Sequence, residues 1–355
     1  MGNTKISIEE DRFLINGSLT YAGCEYNGRS IEGLLFNSRM VQAVFDDENQ
    51  ETRQHWKYPD TGLWDPERNT NEFVEALSDY KAHGLLAVTV GLQGGGSIYR
   101  NQIYQEYLNS AFTSDGELKP AYFDRLDRVI QKCDELGMIV IVNYFYFIQA
   151  RKLSFAAIKT AAEKTTEYLL SKNYENVLID VANESAPFWN YPELEPERIH
   201  VLIDLVKNIT SNGKRLYVGC SRVGGSNLPH FPQWMEVEDF NLPHGNSTTA
   251  DEIRHKVRLL RDTPEYRKRP RPILFNEDSV FVENLQAAAE EFASWGFYCQ
   301  GYGSNYQDRY DWTKHGRESE YEKLSGFQTL PVNWRINTEN KRAFFHELKA
   351  MTTPS

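Results

Sequence analysis

The sequence predicts a (β/α)8 barrel with a short β-hairpin ahead of it. Three observations point there. Amphipathic helical stretches alternate with short, nearly continuous apolar runs, which is the pattern of βα units around a parallel sheet. Eight such units fit in about 300 residues, the usual size of a closed barrel. Glycines such as Gly84 and Gly137 fall just after helical stretches, where the chain needs a left-handed cap.

The elements follow in order. Arg12 to Tyr21 carries Asn16-Gly17 between two apolar stretches, a hairpin signal because both central residues of a type I′ turn need positive φ. The first barrel strand lies within Gly33–Phe45. A helix over Thr70–His83 leads to a strand at Leu85–Val90. The helix Tyr122–Leu136 leads to the strand Met138–Tyr144, and the helix Ser154–Ser171 to the strand Val177–Ala182. A helix at Glu195–Thr210 precedes the strand Arg215–Cys220, and Asp239–Leu242 is a short strand. The helix Thr249–Asp262 leads to Pro272–Asn276. The helix Val282–Trp295 ends at Gly296 and feeds Phe297–Tyr302. An open, doubly wound sheet is the alternative, but no GxGxxG follows the first strand. Gly94-Gly95-Gly96 lacks that spacing and reads as a flexible loop.

Bulk composition narrows the function. The 355 residues are 40% hydrophobic, enough for a large core, and no low-complexity linker divides them, so a single domain is expected. The net charge is −11, with no basic stripe, which argues against nucleic acid and anionic membrane as partners. No apolar run reaches the roughly 20 residues that span a bilayer. The N-terminal residues contain no apolar signal core, so a cytoplasmic protein is expected. The four cysteines are scattered, which suggests buried thiols rather than a metal or redox motif. With no HxH or HExxH spacing, no metal or cofactor is expected. Oligomeric state is not encoded in any feature of the sequence.

In a barrel, reactive side chains sit at the C-terminal ends of the strands. Those ends deliver Arg39, Asp46 and Asp47 from the first, Gln93 from the second, and Asn143 and Tyr144 from the third. The fourth gives Asn183 and Glu184, the fifth Ser221 and Arg222, and the sixth His244. The seventh gives Asn276, Glu277 and Asp278, and the eighth Tyr302 and Asn305. Two strands end alike, on Asn183-Glu184 and on Asn276-Glu277, and strands four and seven face each other across a barrel mouth. Paired carboxylates over a cleft are the apparatus of glycosidic bond hydrolysis: one protonates the leaving oxygen, the other attacks the sugar carbon. A separation of about 5 Å gives retention of configuration and about 6.5–9.5 Å gives inversion.

With these features the chain resembles the clan A (β/α)8 glycoside hydrolases, the superfamily of the family 5 cellulases and mannanases. The resemblance runs from about Phe13 to Trp334 and rests on the hairpin, the Asn-Glu ending strand four and the Glu ending strand seven. It implies a retaining, double-displacement hydrolase of oligosaccharides or glycosides. Glu184 would be the acid/base, Glu277 the nucleophile and Asn183 the partner of the sugar 2-hydroxyl. His244 matches a position near the nucleophile that is often His or Tyr. Two positions depart from family 5. Asn143-Tyr144-Phe145-Tyr146 stands where a His is common, and Tyr302 or Tyr306 where a Trp is common.

Physical roles follow from the same residues. Glu277 needs donors such as His244 or Arg39, and Glu184 must hold its proton, which the charge of Glu277 would favour. Aromatic rings that could carry sugar faces are Trp56, Tyr58 and Trp64 after strand one, and Phe188, Trp189 and Tyr191 after Glu184. Asp180 is given no role. The alternatives are a sugar-binding barrel without turnover, and a transglycosidase using the same glutamates.

Overall fold

The structure is a computed structural model that describes residues 2–95, 106–186, 191–300 and 320–354. Its centre is a ring of parallel strands. Strand one (Asn37–Arg39) pairs with strand two (Ala87–Gly91), strand two with strand three (Ile139–Phe145), and strand three with strand four (Val177–Ala182). Strand four pairs with strand five (Tyr217–Gly219, continued by Ser221–Arg222), which pairs with strand six (Leu242–Pro243). Single parallel bridges, Asn241 to Ile273 and Leu274 to Ser294, carry the ring through strand seven to strand eight. Strand eight (Gly296–Phe297) returns to strand one, and the barrel closes.

A helix follows each strand. In order they are Pro66–Ala82, Pro120–Leu136, Phe155–Ser171, Ile199–Lys207, Pro232–Val237, Ala250–Asp262, Val282–Glu290 and Glu339–Thr352. Local chemistry sets their starts. Asp65 accepts from the amides of Glu67 and Arg68, with Pro66 in the first turn, and Ser154 accepts from the amide of Ala157. Thr249 and Glu252 form a reciprocal capping box. The fifth and eighth helices are absent from the sequence reading.

The hairpin forms as expected. Asn16 and Gly17 both have positive φ, 54° and 79°, between the antiparallel strands Arg12–Ile15 and Ser18–Leu19. A further strand, Ile6–Glu9, extends it. Ile6 and Phe13 join Leu35, Ala87, Ile139, Ile141, Leu178, Phe240, Leu242 and Leu274 in one apolar cluster. This cluster fills the lower barrel interior, and the hairpin stoppers that end: the Ile6 amide donates to the carbonyl of Glu175, just ahead of strand four.

The largest departure is at the last βα unit. The expected helix over 282–295 ends at Glu290, Phe292 turns with φ 53°, and Ser294 already bridges to Leu274 just ahead of strand eight. Trp295 is held by its indole Nε1, which donates to Asp278 at 2.6 Å, and its ring packs against Phe344 of the helix Glu339–Thr352. Gly296 is therefore a strand residue and not a cap. Gly94 also departs from the loose loop expected of it. A Cβ there would stand 2.2 Å from Cγ of Tyr146, so the Tyr146 ring lies directly on the glycine backbone.

Candidate active site

Side-chain alternation sorts the barrel interior into layers. Above the apolar cluster, Asn143 and Asp180 sit in register on strands three and four, and both are fully buried. Asp180 gathers three donors: the Ser221 amide at 2.9 Å, Asn143 Nδ2 at 3.1 Å and Asn276 Nδ2 at 3.3 Å. Burial raises its carboxyl to about 6. Asn143, expected to contact substrate, is instead occupied with this carboxylate beneath the site. Asp180, given no role, is the centre of that layer.

The next layer up is the candidate site. Arg39 Nε meets Glu277 Oε2 at 2.6 Å, and its Nη2 donates to Asn183 Oδ1 at 2.5 Å. Asn246 Nδ2 donates to the other oxygen of Glu277 at 2.8 Å. One oxygen of the candidate nucleophile therefore holds an amide donor and the other the Arg39 charge. His244 was expected to serve Glu277, but its Nδ1 lies 3.0 Å from Glu184 Oε1 and 3.7 Å from Glu277 Oε2. Its other nitrogen, Nε2, faces Asn276 Oδ1 at 3.1 Å. Complete burial lowers the imidazole to about 4, so it is neutral near pH 7 and a poor partner for an anion.

Glu184 begins just past strand four with φ 51°, the left-handed region that a glutamate rarely adopts. Its amide donates to Ser221 Oγ at 3.0 Å, and Oε1 accepts from the Gly224 amide at 3.3 Å. Its carboxyl is raised above the usual range. The leading cause is burial, not the charge of Glu277 that the sequence reading invoked; Arg39, the Gly224 amide and Lys256 oppose it. One ligand atom each of Glu184, His244 and Glu277 lies within 4.8 Å of the others. The three could present a donor set to a cation, but Arg39 already supplies the positive charge at Glu277.

The remaining expectations divide. Trp56 and Trp64 are buried, with their indole nitrogens on Asp47 at 2.7 Å and Asp46 at 3.2 Å, so they brace the loop after strand one. Tyr58 stacks on Trp64 and is fully buried. Trp189, Phe188, Tyr302, Asn305 and Tyr306 lie outside the described residues. Residues the sequence reading missed are Asn246, two positions beyond His244 on the same strand end, and Tyr298, whose ring centroid is 5.7 Å from the Arg39 guanidinium. Tyr298 lies inside the expected strand Phe297–Tyr302, whose site residues were sought at Tyr302; the strand ends at Phe297, which brings Tyr298 to the mouth.

No protein-family model matches the chain, and no curated protein matches it in sequence. Solved structures do. The endo-β-1,4-mannanase from Thermotoga petrophila is similar at TM-score 0.55 and 10% identity, over 90% of this chain and 77% of that one. The GH5-4 broad-specificity endoglucanase from Clostridium longisporum is similar at TM-score 0.54 and 10% identity, over 90% and 97%. That from Bacteroides salanitronis is similar at 0.54 and 11%, over 91% and 93%. The chain therefore shares the (β/α)8 fold of these mannanase and endoglucanase structures.

Proposed function

We propose that the protein is a retaining glycoside hydrolase acting on O-glycosidic bonds of oligosaccharides or glycosides. The observation that carries this is the approach of Glu184 and Glu277, carboxylate oxygens within 4.8 Å of one another. That spacing matches the roughly 5 Å of retaining enzymes and leaves no room for the water that inversion needs between them. Similarity in fold to mannanases and endoglucanases supports the same class.

In this reading a Glu277 oxygen attacks the anomeric carbon as the glycosidic C–O bond breaks. Glu184 passes its proton to the departing oxygen. Water then enters, gives a proton to the Glu184 carboxylate, and displaces Glu277 from the sugar. Arg39 and Asn246 hold the attacking carboxylate in one orientation. Arg39 also takes the Asn183 oxygen, which turns the Asn183 Nδ2 to donate to the sugar 2-hydroxyl.

A panel of activated aryl glycosides, run on wild type and Glu184→Ala, tests the proposal. Turnover by wild type, with azide restoring the variant, is expected. A 2-fluoro glycoside should label Glu277, and labelling elsewhere would overturn the nucleophile assignment. Saturable sugar binding without turnover would make the protein a binding barrel instead.

A further inference from the structure

We propose that Asn276, oriented by Asp180, is a positioning residue that fixes His244 as its Nε2–H tautomer, so that Nδ1 can only accept the proton carried by Glu184. The inference rests on the acid/base reading of Glu184 and adds how that residue is kept protonated.

The argument begins one layer below the site. Asp180 Oδ2 already accepts from Asn143 and lies 3.3 Å from the Asn276 amide. A carboxylate offers only lone pairs, so the Asn276 amide must turn its NH2 toward it; the flipped amide would set two acceptors face to face. Asn276 Oδ1 is thereby aimed at His244 Nε2, 3.1 Å away. A carbonyl oxygen only accepts, so the imidazole proton sits on Nε2. Nδ1 then presents a bare lone pair to Glu184 Oε1 at 3.0 Å. Two lone pairs repel at that distance. The contact is favourable only with one proton between them.

Which side holds the proton depends on every charge facing His244. Glu277 of strand seven, 3.7 Å away, favours the imidazolium. Arg39 of strand one and Lys256 of helix Ala250–Asp262, whose Nζ donates to the His244 carbonyl at 2.7 Å, disfavour it. Asp180 acts through Asn276. Complete burial disfavours it most and outweighs the rest. The proton therefore belongs to Glu184. After Glu184 has given it up, its carboxylate faces the same lone pair, and that repulsion favours taking a proton back from the incoming water. One acceptor thus serves both halves of the reaction.

The test reads protonation directly and needs no substrate. In a 15N–1H spectrum of wild type at pH 7, His244, identified by its loss in His244→Gln, should show a protonated Nε2 and a bare Nδ1. An Nδ1–H tautomer or an imidazolium would overturn the proposal. In Asn276→Ala the anchor is gone, Nδ1–H becomes available to donate to Glu184, and the 13C titration midpoint of Glu184 should fall by about one pH unit, a tenfold change in its ionisation constant. An unmoved midpoint in the folded variant would also overturn it. If Asn276→Ala does not fold, the wild-type tautomer decides. Absence of turnover on every glycoside would defeat the hydrolase reading alone, because neither resonance measurement uses a substrate.

Discussion

Arg39 and Glu277 form a buried ion pair, Nε to Oε2 at 2.6 Å, that ties strand one to strand seven across the barrel mouth. Removing one member of such a pair strands the other charge out of water, a loss of about 3–5 kcal/mol. Arg39→Met should lower stability by about that amount in urea unfolding. Arg39→Met combined with Glu277→Gln should recover most of it, since no unpaired charge remains. Strictly additive losses would show that the two side chains do not interact.

Glu184 has φ 51°, a conformation that costs an L-residue with a Cβ about 1–2 kcal/mol. Glycine has no such cost. Glu184→Gly and Glu184→Ala should be equally inactive on aryl glycosides, while the glycine variant is more stable by about 1 kcal/mol in thermal melts. Equal melting temperatures would mean that the strain is absent in solution.

Tyr146 rests on Gly94 and interacts electrostatically with Arg39. Gly94 also has φ 70°. Gly94→Ala would place its methyl 2.2 Å from the ring carbon, which neither partner can absorb without moving. The variant should lose about 1–3 kcal/mol of stability. Its kcat/KM should fall as Tyr146 shifts. Wild-type values in both assays would refute the contact.

Two buried groups give stability opposite dependences on pH. His244 is lowered from 6.5 to about 4, so between those values the unfolded chain binds more protons than the folded one. Its contribution is full above pH 6.5 and is lost as pH falls toward 4. Asp180 is raised from 3.8 to about 6, so its contribution is full below 3.8 and is lost as pH rises through 6. Urea midpoints measured from pH 4 to 7 should fall less steeply toward acid in His244→Gln than in wild type. Asp180→Asn should instead flatten the decline toward neutral pH. Parallel curves for all three proteins would contradict both assignments.

Much of the scaffold is written locally. Asn16-Gly17 makes its turn wherever it sits, Ser154 and Thr249 start helices from their own side chains, and Val177–Ala182 is continuous enough to be a buried strand alone. The two glutamates were legible because strand ends point into one mouth. What touches what across the mouth was not. Asp180 shares a face with Leu178, and nothing in sequence says that two asparagines from strands three and seven converge on it. His244 is placed between two carboxylates by the barrel's curvature, and its distances, 3.0 and 3.7 Å, decide its partner. Trp56 and Trp64 resemble sugar platforms in composition, yet Asp47 and Asp46 supply indole partners inside the fold. Val282 to Trp295 keeps helical periodicity past Glu290, but the left-handed turn at Phe292 and the pairing of Ser294 with Leu274 take the chain out of the helix.

The hairpin stopper has a practical consequence. Its leading residues are laid against helix Pro120–Leu136, where the amides of Asn3 and Thr4 both donate to the Asp134 carboxylate at 2.8 Å. That attachment lies at the base, a full barrel length from the glutamates. A bead or carrier coupled ahead of Asn3 would grip the molecule by its floor and leave the cleft open to bulk liquid, whereas a graft onto the loop after strand six would crowd Glu184 and Glu277.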